Sequence, residues 1–259
     1  MTKILVCRPN IGKDKIGAQK EAFEKLVDAQ VDIDALDCGP EWSDTAWDEL
    51  LIGREMVAKA QKAEKDGYDA FITGSSVDHC LNALKEMVNI PVVGPSEASF
   101  IVAAFLAEKF STVTIDSPNQ RQMILRSLYR LGLQSKLASI RLAVSGELII
   151  RHTPKDYDTI GRILAEESKK AVDEDGAQAV IVGTLGFERV GAETGRSTFD
   201  RAKEILIKDG YGDIPIIPIA KVALNFAKML SECGLTQSKR TFTPPPMPPE
   251  KDYSPDCFE

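Results

Sequence analysis

Two apolar stretches of the sequence each end in a glycine that is followed directly by hydroxyl side chains. Ser75 and Ser76 follow Gly74, and Thr184 follows Gly183. A strand that ends in a glycine turn before a helix leaves backbone N–H groups free at its tip, and such groups suit an anionic or carbonyl ligand. The hydroxyls can donate further hydrogen bonds to developing negative charge. The sequence therefore predicts one site built from both turns.

The two turns belong to an internal repeat. They are 109 residues apart (184 − 75), and the Pro-Asn pairs at 9–10 and 118–119, which each follow an apolar stretch, have the same separation. The segment Ile-Pro-Val-Val at 90–93 resembles Ile-Pro-Ile-Ile at 214–217 at an offset of 124, so the second unit has 15 extra residues after its turn (124 − 109). This pattern is typical of a duplicated α/β unit with an insertion beside the second turn.

Apolar segments of strand length alternate with segments of helical length along the chain, which favours parallel sheets joined by helices. We therefore predict an α/β fold of two pseudo-symmetric lobes, each a parallel β-sheet flanked by helices, with the active site in the cleft between them. The first lobe is assigned to residues 1–97 and the second to 98–219, and a C-terminal helix at about 220–240 joins the first lobe. Residues 241–259 include six prolines and are expected to form an extended tail.

The composition is that of a soluble, enzyme-sized protein. The chain has 259 residues, 43% of them hydrophobic, and a net charge of −7, so neither a nucleic acid nor a membrane is expected as a partner. No apolar run approaches the roughly 20 residues of a membrane span, and the N-terminus has no signal-peptide core, so a cytoplasmic location is expected. The five cysteines are interpreted as free thiols, and no metal or other cofactor is expected. The expected partner is a small molecule, and a homo-oligomer is left open.

Five sets of residues carry a resemblance to a known group of enzymes. They are Arg8-Pro-Asn10, Ser75-Ser-Val-Asp78 with the helix after it, Ile90-Pro-Val-Val-Gly94 with Glu97-Ala98, Gly183-Thr-Leu-Gly186, and Gly234-Leu235 with Ser238-Lys239. Together they resemble the aspartate/glutamate/hydantoin racemase superfamily, most of all its hydantoin and allantoin racemase branch. The resemblance covers nearly the whole chain and implies two pseudo-symmetric lobes with the active site between them, as the repeat does.

The resemblance breaks at the residues that do the chemistry. In these racemases each turn carries a cysteine, and one thiolate removes the α-proton from one face of the substrate while the other thiol returns a proton from the opposite face. The matching positions here are Ser75 and Thr184. A thiol of pKa about 8.5 can become a thiolate at neutral pH, whereas a hydroxyl needs a separate base. We therefore expect Ser75 and Thr184 to act as hydrogen-bond donors and not as the acid–base pair of a racemase.

Three groups are candidates for the base. His79 is interpreted either as a base or as a residue on the surface of a helix. Glu97 and Lys221 lie at equivalent positions of the two units (221 − 97 = 124). They can face each other across the cleft as base and anion anchor, or they can be ordinary charges at helix starts.

Other polar and aromatic groups near the turns have simpler interpretations. Asp78 is interpreted as a helix cap, and Cys80 as a small buried side chain. Trp42 and Trp47 are assigned to packing or to a lid. A hydroxyl after a strand is often only a helix cap, and this alternative applies to each turn taken alone.

The groups predicted to bind substrate lie at the three turns and at two helix starts. Arg8, Glu188 and Arg189 flank the expected cleft, and either arginine is a candidate ligand for a substrate carboxylate. The full set of predicted substrate-binding residues is Asn10, Arg8, Gly74, Ser76, Glu97, Gly183, Leu185, Gly186 and Lys221. The predicted catalytic residues are Ser75, Thr184 and His79.

Four functions remain open. The first is isomerisation of a small carboxylate or cyclic amide through an enolate-like intermediate, with a base other than a thiol. The second is a lyase or decarboxylase, because Gly74-Ser-Ser76 is similar to the Gly-Thr-Ser of arylmalonate decarboxylases. The third is a hydrolase with Ser75 as nucleophile, for which the sequence offers no clear base and orienting partner. The fourth is a metabolite-binding protein without catalysis.

Overall fold

The computed structural model describes residues 1–12, 16–43, 45–145, 156–188 and 196–246. Within these residues the chain forms two four-stranded parallel sheets, with strand orders β2-β1-β3-β4 and β6-β5-β7-β8. The first sheet contains β1 (Lys3–Arg8), β2 (Gln30–Ala35), β3 (Ala70–Thr73) and β4 (Val92–Val93), and the second contains β5 (Phe110–Asp116), β6 (Leu137–Ser145), β7 (Ala179–Gly183) and β8 (Ile216–Pro218). Two parallel sheets with intervening helices confirm the predicted α/β class. The strands of both sheets also follow the same order.

Helices connect the strands and cover both faces of each sheet. They are α1 (Ile16–Glu24), α2 (Ala46–Lys65), α3 (Leu81–Met87), α4 (Pro95–Leu106), α5 (Gln120–Leu131), α6 (Tyr157–Asp173), α7 (Thr198–Lys208) and α8 (Ile219–Glu232). No described helix combines the length and the apolar composition that a membrane span requires. Arg189 and the tail beyond residue 246 lie outside the described residues, and the proposals for them stay predictions.

The strands are apolar on both faces, as parallel strands between two helix layers must be. In β1, Ile4 and Val6 pack in a core with α1 and α8, whereas Leu5 and Cys7 pack in a core with α2 and α3. This alternation follows from the two-residue period of a strand. The second sheet is built the same way, with α4 and α5 on one face and α6 and α7 on the other.

Two helices leave the sheet that precedes them and pack on the other one. Helix α4 follows β4 of the first sheet, yet its Phe100 and Ala103 are buried in the core of the second sheet, where the Phe100 ring stacks on Phe110 at 5.9 Å between centroids. Helix α8 follows β8 of the second sheet, yet Ala223 and Leu224 are buried in the core of the first. We call α4 and α8 the crossing helices. They also pack against each other, so the two sheets share one continuous layer of helices.

The segment after α8 returns to the first sheet. The side chain of Gln237 accepts from the N–H of Val92 in β4 at 3.1 Å and donates to the carbonyl oxygens of Val88 and Ile90. Lys239 Nζ donates to three carbonyl oxygens at the end of α3, at 2.6 to 2.9 Å. Cations stabilise the C-terminal end of a helix. The residues after α8 therefore hold the edge strand β4 and the end of α3.

Candidate functional site at the ends of strands β3 and β7

Strand β3 ends directly against strand β1. The Gly74 N–H donates to the carbonyl oxygen of Cys7 at 2.6 Å. A Cβ atom at residue 74 would lie 2.7 Å from that oxygen and 2.9 Å from the Cα of Arg8. Glycine is therefore required by the close approach of two backbones, and the turn that carries Ser75 starts from a fixed position.

This contact predicts unequal effects of alanine at the two glycines. Gly74→Ala is expected to lower the free energy of unfolding by about 1–3 kcal/mol, because the backbone of β1 must move. Gly183→Ala is the matched control, since the nearest atoms to a Cβ there are the side-chain hydroxyls of Thr112 at 3.4 Å and Thr114 at 3.6 Å, which are ordinary contact distances. We expect a change within about 1 kcal/mol for the control. Urea unfolding measures both, and equal losses would contradict the assignment of Gly74 as a steric requirement.

The Ser75 hydroxyl is half-buried and is oriented by its own turn. Its oxygen accepts a hydrogen bond from the N–H of Val77 at 3.3 Å, and it donates to no described residue. This contact is the local side-chain-to-backbone bond of a cap or ST turn. It leaves the hydroxyl proton for a ligand. Ser76 is 8% exposed, and its carbonyl oxygen accepts from the hydroxyl of Ser96 in the first turn of α4.

The second turn has more open space around it. Thr184 is half-buried, and its hydroxyl makes no hydrogen bond with a described residue. Its carbonyl oxygen accepts from the N–H of Phe187 at 3.1 Å, and a Cβ at Gly186 would meet no atom within 4 Å. The side chain of Leu185 is buried in the core of the first sheet. The second turn therefore ends a strand of the second sheet but lies beside the first.

The end of β1 adds a candidate acceptor for a ligand. Arg8 folds back over its own turn, where Nη1 donates to the carbonyl oxygen of Gly12 at 2.6 Å. The Asn10 backbone is fixed by a bond from the N–H of Leu36 at 3.1 Å. The Asn10 Oδ1 atom is buried and has no hydrogen-bond partner among the described residues. A buried carbonyl oxygen without a partner costs about 1–3 kcal/mol, so this atom is suited to accept from a ligand N–H.

His79 lies inside the protein, so its interpretation as a surface helix residue is wrong. Helix α3 begins only at Leu81, because Asp78 and Cys80 have φ values of 54° and 55°, which a right-handed helix cannot contain. The His79 Nε2 atom lies 3.2 Å from Ser43 Oγ and 3.3 Å from the Ser43 carbonyl oxygen. The catalytic role of His79 stays a prediction.

The loop that carries Ser43 also bridges the two sheets. Trp42 is half-buried and packs against the core of the second sheet, although it follows β2 of the first. Trp47, in the first turn of α2, is 64% exposed. The two tryptophans therefore differ, and Trp42 packs across the molecule while Trp47 faces solvent. Sequence reasoning missed Ser43, because no local pattern connects it to a histidine 36 residues away.

Glu97 and Lys221 occupy matching places at the starts of the crossing helices, but their side chains differ. The Glu97 carboxylate lies 2.5 Å from Lys85 Nζ and 3.3 Å from Arg130 of α5, and it is largely buried. Lys221 is exposed. The two side chains therefore have different surroundings, although their positions in the repeat are equivalent. The pair as base and anion anchor stays a prediction.

Asp78 caps a helix, but not the helix that follows it in sequence. Its two carboxylate oxygens accept from the N–H groups of Ser96 and Glu97, in the first turn of α4, at 3.0 and 2.8 Å. Its side chain is 4% exposed, and burial raises the pKa of the carboxyl to about 7 although the two N–H groups oppose that shift. A Cβ atom at Gly94 would lie 2.5 Å from this carboxylate. Residue 94 therefore has to be glycine for the contact to form.

Glu188 makes the equivalent contact in the second half. Its carboxylate oxygens accept from the N–H groups of Ala220 and Lys221, in the first turn of α8, at 2.5 and 2.9 Å. The residue is 3% exposed, and burial again raises the pKa of the carboxyl to about 7. Sequence analysis placed Glu188 beside the cleft without a role. Its partners are backbone groups 32 and 33 residues away, which no motif reveals.

The described cysteines do not supply a thiolate at the turns. Burial, with the nearby Asp34 carboxylate, raises the pKa of Cys7 far above its usual range. Burial and Glu49 raise the pKa of Cys80 to about 12, and its Sγ contacts the Glu49 carbonyl oxygen at 3.4 Å. The four described cysteines are free thiols, as predicted.

Because a protonated thiol is a poor nucleophile, we expect iodoacetamide to leave turnover nearly unchanged at neutral pH. Among the described cysteines, the reagent should label the exposed Cys38 and Cys233 first, which peptide mass spectrometry can follow. Cys80→Ala provides the control for non-specific loss. Rapid inactivation that tracks the label on Cys80 would show that this thiol does chemistry after all.

Comparison with known proteins finds similarity over most of the chain. The sequence model of the Asp/Glu/hydantoin racemase family matches residues 18–227. A hydantoin racemase of Pseudomonas sp. (strain NS671) is 28% identical over 254 residues, which cover 97% of this chain and 94% of that protein. An allantoin racemase from Klebsiella pneumoniae superposes with a TM-score of 0.79 at 20% identity, over 96% of this chain and 95% of that one. Arylmalonate decarboxylase superposes with a TM-score of 0.58 at 13% identity, over 90% and 93%.

Proposed function

Since this chain belongs to the Asp/Glu/hydantoin racemase family, we propose that it is an isomerase-type enzyme that stabilises an enolate-like intermediate of a small carboxylate or cyclic amide. The resemblance first drawn from the motifs is thereby confirmed at the level of the family. The substrate and the reaction are the proposal. Its chemistry differs from the two-thiol mechanism, because hydroxyls stand at the ends of β3 and β7.

One observation carries the proposal. The hydroxyls that follow Gly74 and Gly183 are half-buried at the carboxyl ends of equivalent strands, and neither hydroxyl donates to a described residue. Ser75 accepts from a backbone N–H, so its proton is its remaining hydrogen-bonding group. Donors held in such positions stabilise developing oxyanions, and one good donor contributes about 3–4 kcal/mol. His79, Glu97 and Lys221 remain the candidates for the base.

The Asn10 side chain favours a substrate that carries an N–H group, such as a cyclic amide. Its buried Oδ1 has no partner among the described residues and can accept from that group. Asn10→Ala is expected to raise KM about 10-fold and to change kcat less than about 3-fold, because the bond is present in both ground and transition states. A malonate, which has no N–H, is the control substrate. A loss confined to kcat would contradict a binding role.

The experiment that tests the function is α-proton exchange in deuterated water, followed by proton NMR. Purified protein is incubated near pH 7 with a 5-substituted hydantoin, allantoin, aspartate, glutamate and an arylmalonate, and polarimetry follows the chirality in parallel. Exchange with loss of optical rotation supports isomerisation. Saturable binding with neither exchange nor product in the whole panel would contradict the enzyme and favour a metabolite-binding protein.

Decarboxylation is the second candidate, and it is favoured because neither turn carries a cysteine. Losing carbon dioxide generates the carbanion without a strong base, so hydrogen-bond donors suffice for much of the stabilisation. Release of carbon dioxide from the arylmalonate, with no exchange of the hydantoin, would select this reaction. A hydrolase has less support, because the described contacts of Ser75 include no base.

A further inference from the structure

The contacts of Asp78 and Glu188 match each other across the repeat. The two acids are 110 residues apart (188 − 78), whereas the N–H groups they bind are 124 apart (220 − 96 and 221 − 97). The second half therefore makes the same pair of carboxylate-to-N–H bonds with a different number of residues between the acid and its helix. It does so with glutamate, whose side chain is longer than that of aspartate. The carboxylate-to-helix contact is present in both halves although the sequence spacing between acid and helix differs. This indicates that the contact is present because of the helix position it fixes, and not because of a local sequence pattern.

Both crossing helices depend on these distant acids for their caps. Their own N-cap residues, Gly94 and Pro218, make no side-chain capping bond. By contrast, α2 and α7 are capped locally by capping boxes that begin at Thr45 and Ser197. A local Ser, Thr or Asp cap needs no buried charge, whereas a carboxylate without solvent is expensive to hold ionised. If capping were the only role, a Ser, Thr or Asp at position 94 or 218 would supply it without the desolvation cost of a buried carboxylate.

The bonds connect each hydroxyl turn to the opposite sheet. Asp78 lies three residues after Ser75 and holds α4, which packs on the second sheet. Glu188 lies four residues after Thr184 and holds α8, which packs on the first. A shift of one sheet relative to the other is therefore transmitted to both turns through the crossing helices.

We propose that Asp78 and Glu188 are positioning residues that fix the Ser75 and Thr184 hydroxyls relative to each other through the crossing helices. The predicted effect on kcat rests on the proposed function. The effect on the position of the two turns can be tested by hydrogen–deuterium exchange without a substrate. Small displacements at a reacting centre reduce rates strongly, so the expected effect is on kcat and not on binding.

The test uses the isosteric variants Asp78→Asn and Glu188→Gln in the full chain. Each replaces one acceptor oxygen by an NH₂ group that faces a backbone N–H, so one of the two bonds is lost. Hydrogen–deuterium exchange with peptide mass spectrometry should show amides of the affected turn, 74–80 or 183–188, and of its crossing helix exchanging at least about 10-fold faster. On the active substrate, kcat should fall at least about 10-fold with KM within about 3-fold.

Glu64→Gln is the matched control. Its carboxylate accepts from the Asn89 N–H at 2.7 Å. Asn89 precedes the amino end of β4, whereas the turns follow the carboxyl ends of β3 and β7. Faster exchange is expected only around residue 89, with kcat unchanged. If Asp78→Asn does not fold, Ser96→Ala removes only the bond from α4 to the Ser76 carbonyl oxygen and should produce the milder form of the same result.

The outcomes separate the two proposals. Faster exchange at the turns in a protein that turns over none of the substrates supports the positioning role and contradicts the proposed function. Turnover with unchanged exchange at the turns and unchanged kcat in both variants overturns the positioning role alone. A fall in Tm equal to that of the control, without any change in kcat, assigns the acids to stability and also overturns it.

Discussion

Replacing Ser75 or Thr184 by alanine is expected to lower kcat about 10²-fold while Tm changes little. Each hydroxyl is half-buried and donates to no described residue, so its loss removes a donor for the substrate and breaks few bonds of the fold. Ser75 should be the more sensitive, because the Val77 N–H orients its hydroxyl, whereas the Thr184 hydroxyl has no such contact with a described residue. Steady-state kinetics and thermal unfolding of the two single variants measure this.

Thr45→Ala is the control for a pure capping effect. The Thr45 hydroxyl accepts from the N–H of Asp48 at 3.0 Å in the capping box of α2, and its loss should cost about 1 kcal/mol of stability without affecting kcat. Small, equal losses of stability in Ser75→Ala and Thr184→Ala, with kcat preserved, would show that both turns only cap. A covalent adduct trapped on Ser75 would instead show a nucleophile.

Introducing cysteine at both turns is expected to create proton exchange by thiols. In Ser75→Cys the Val77 N–H, which now donates to the hydroxyl oxygen, can donate to a thiolate and lower its pKa. The double variant Ser75→Cys, Thr184→Cys should exchange the α-proton of a hydantoin with deuterium and invert its configuration. The expected rate is at least about 10-fold above that of the wild type, because a thiol can ionise near neutral pH and act as the base, whereas a hydroxyl cannot.

The single cysteine variants sharpen this result. One thiol can remove and return a proton only on its own face, so each should exchange one enantiomer without inverting it. Racemisation should require both. Binding of the hydantoin without exchange in the double variant would mean that the turns do not face opposite sides of one ligand.

Part of this architecture could be predicted because its signals are local. Glycine breaks, apolar strand segments and a shared offset of 109 residues identify the repeated α/β unit and the turns at Ser75 and Thr184 from the sequence alone. The offset of 124 also found Glu97 and Lys221 as equivalent positions. Their backbone N–H groups make the equivalent contacts, and their side chains do not. Sequence periodicity identifies positions, and it does not say which atom of the residue is used.

The rest depends on contacts between distant residues. Leu185 could not be assigned to the first sheet, because its own strand belongs to the second. One interpretation placed His79 on the surface of a helix, but the loop at Ser43 lies against it, and that loop is 36 residues away in sequence. Asp78 and Cys80 have left-handed backbones that delay the start of α3. Asp adopts this conformation more often than most residues, but cysteine does not, and the sequence alone does not predict it at both positions.

The crossing of α4 and α8 leaves neither half of the chain complete on its own. A fragment that ended after α4 would expose the apolar face of the first sheet that Ala223 and Leu224 cover, and Phe100 would lack the core into which it packs. One copy of the repeated unit could bury both surfaces only by exchanging its last helix with a second copy. A single unit produced alone is therefore expected to form a domain-swapped homodimer and not a monomer.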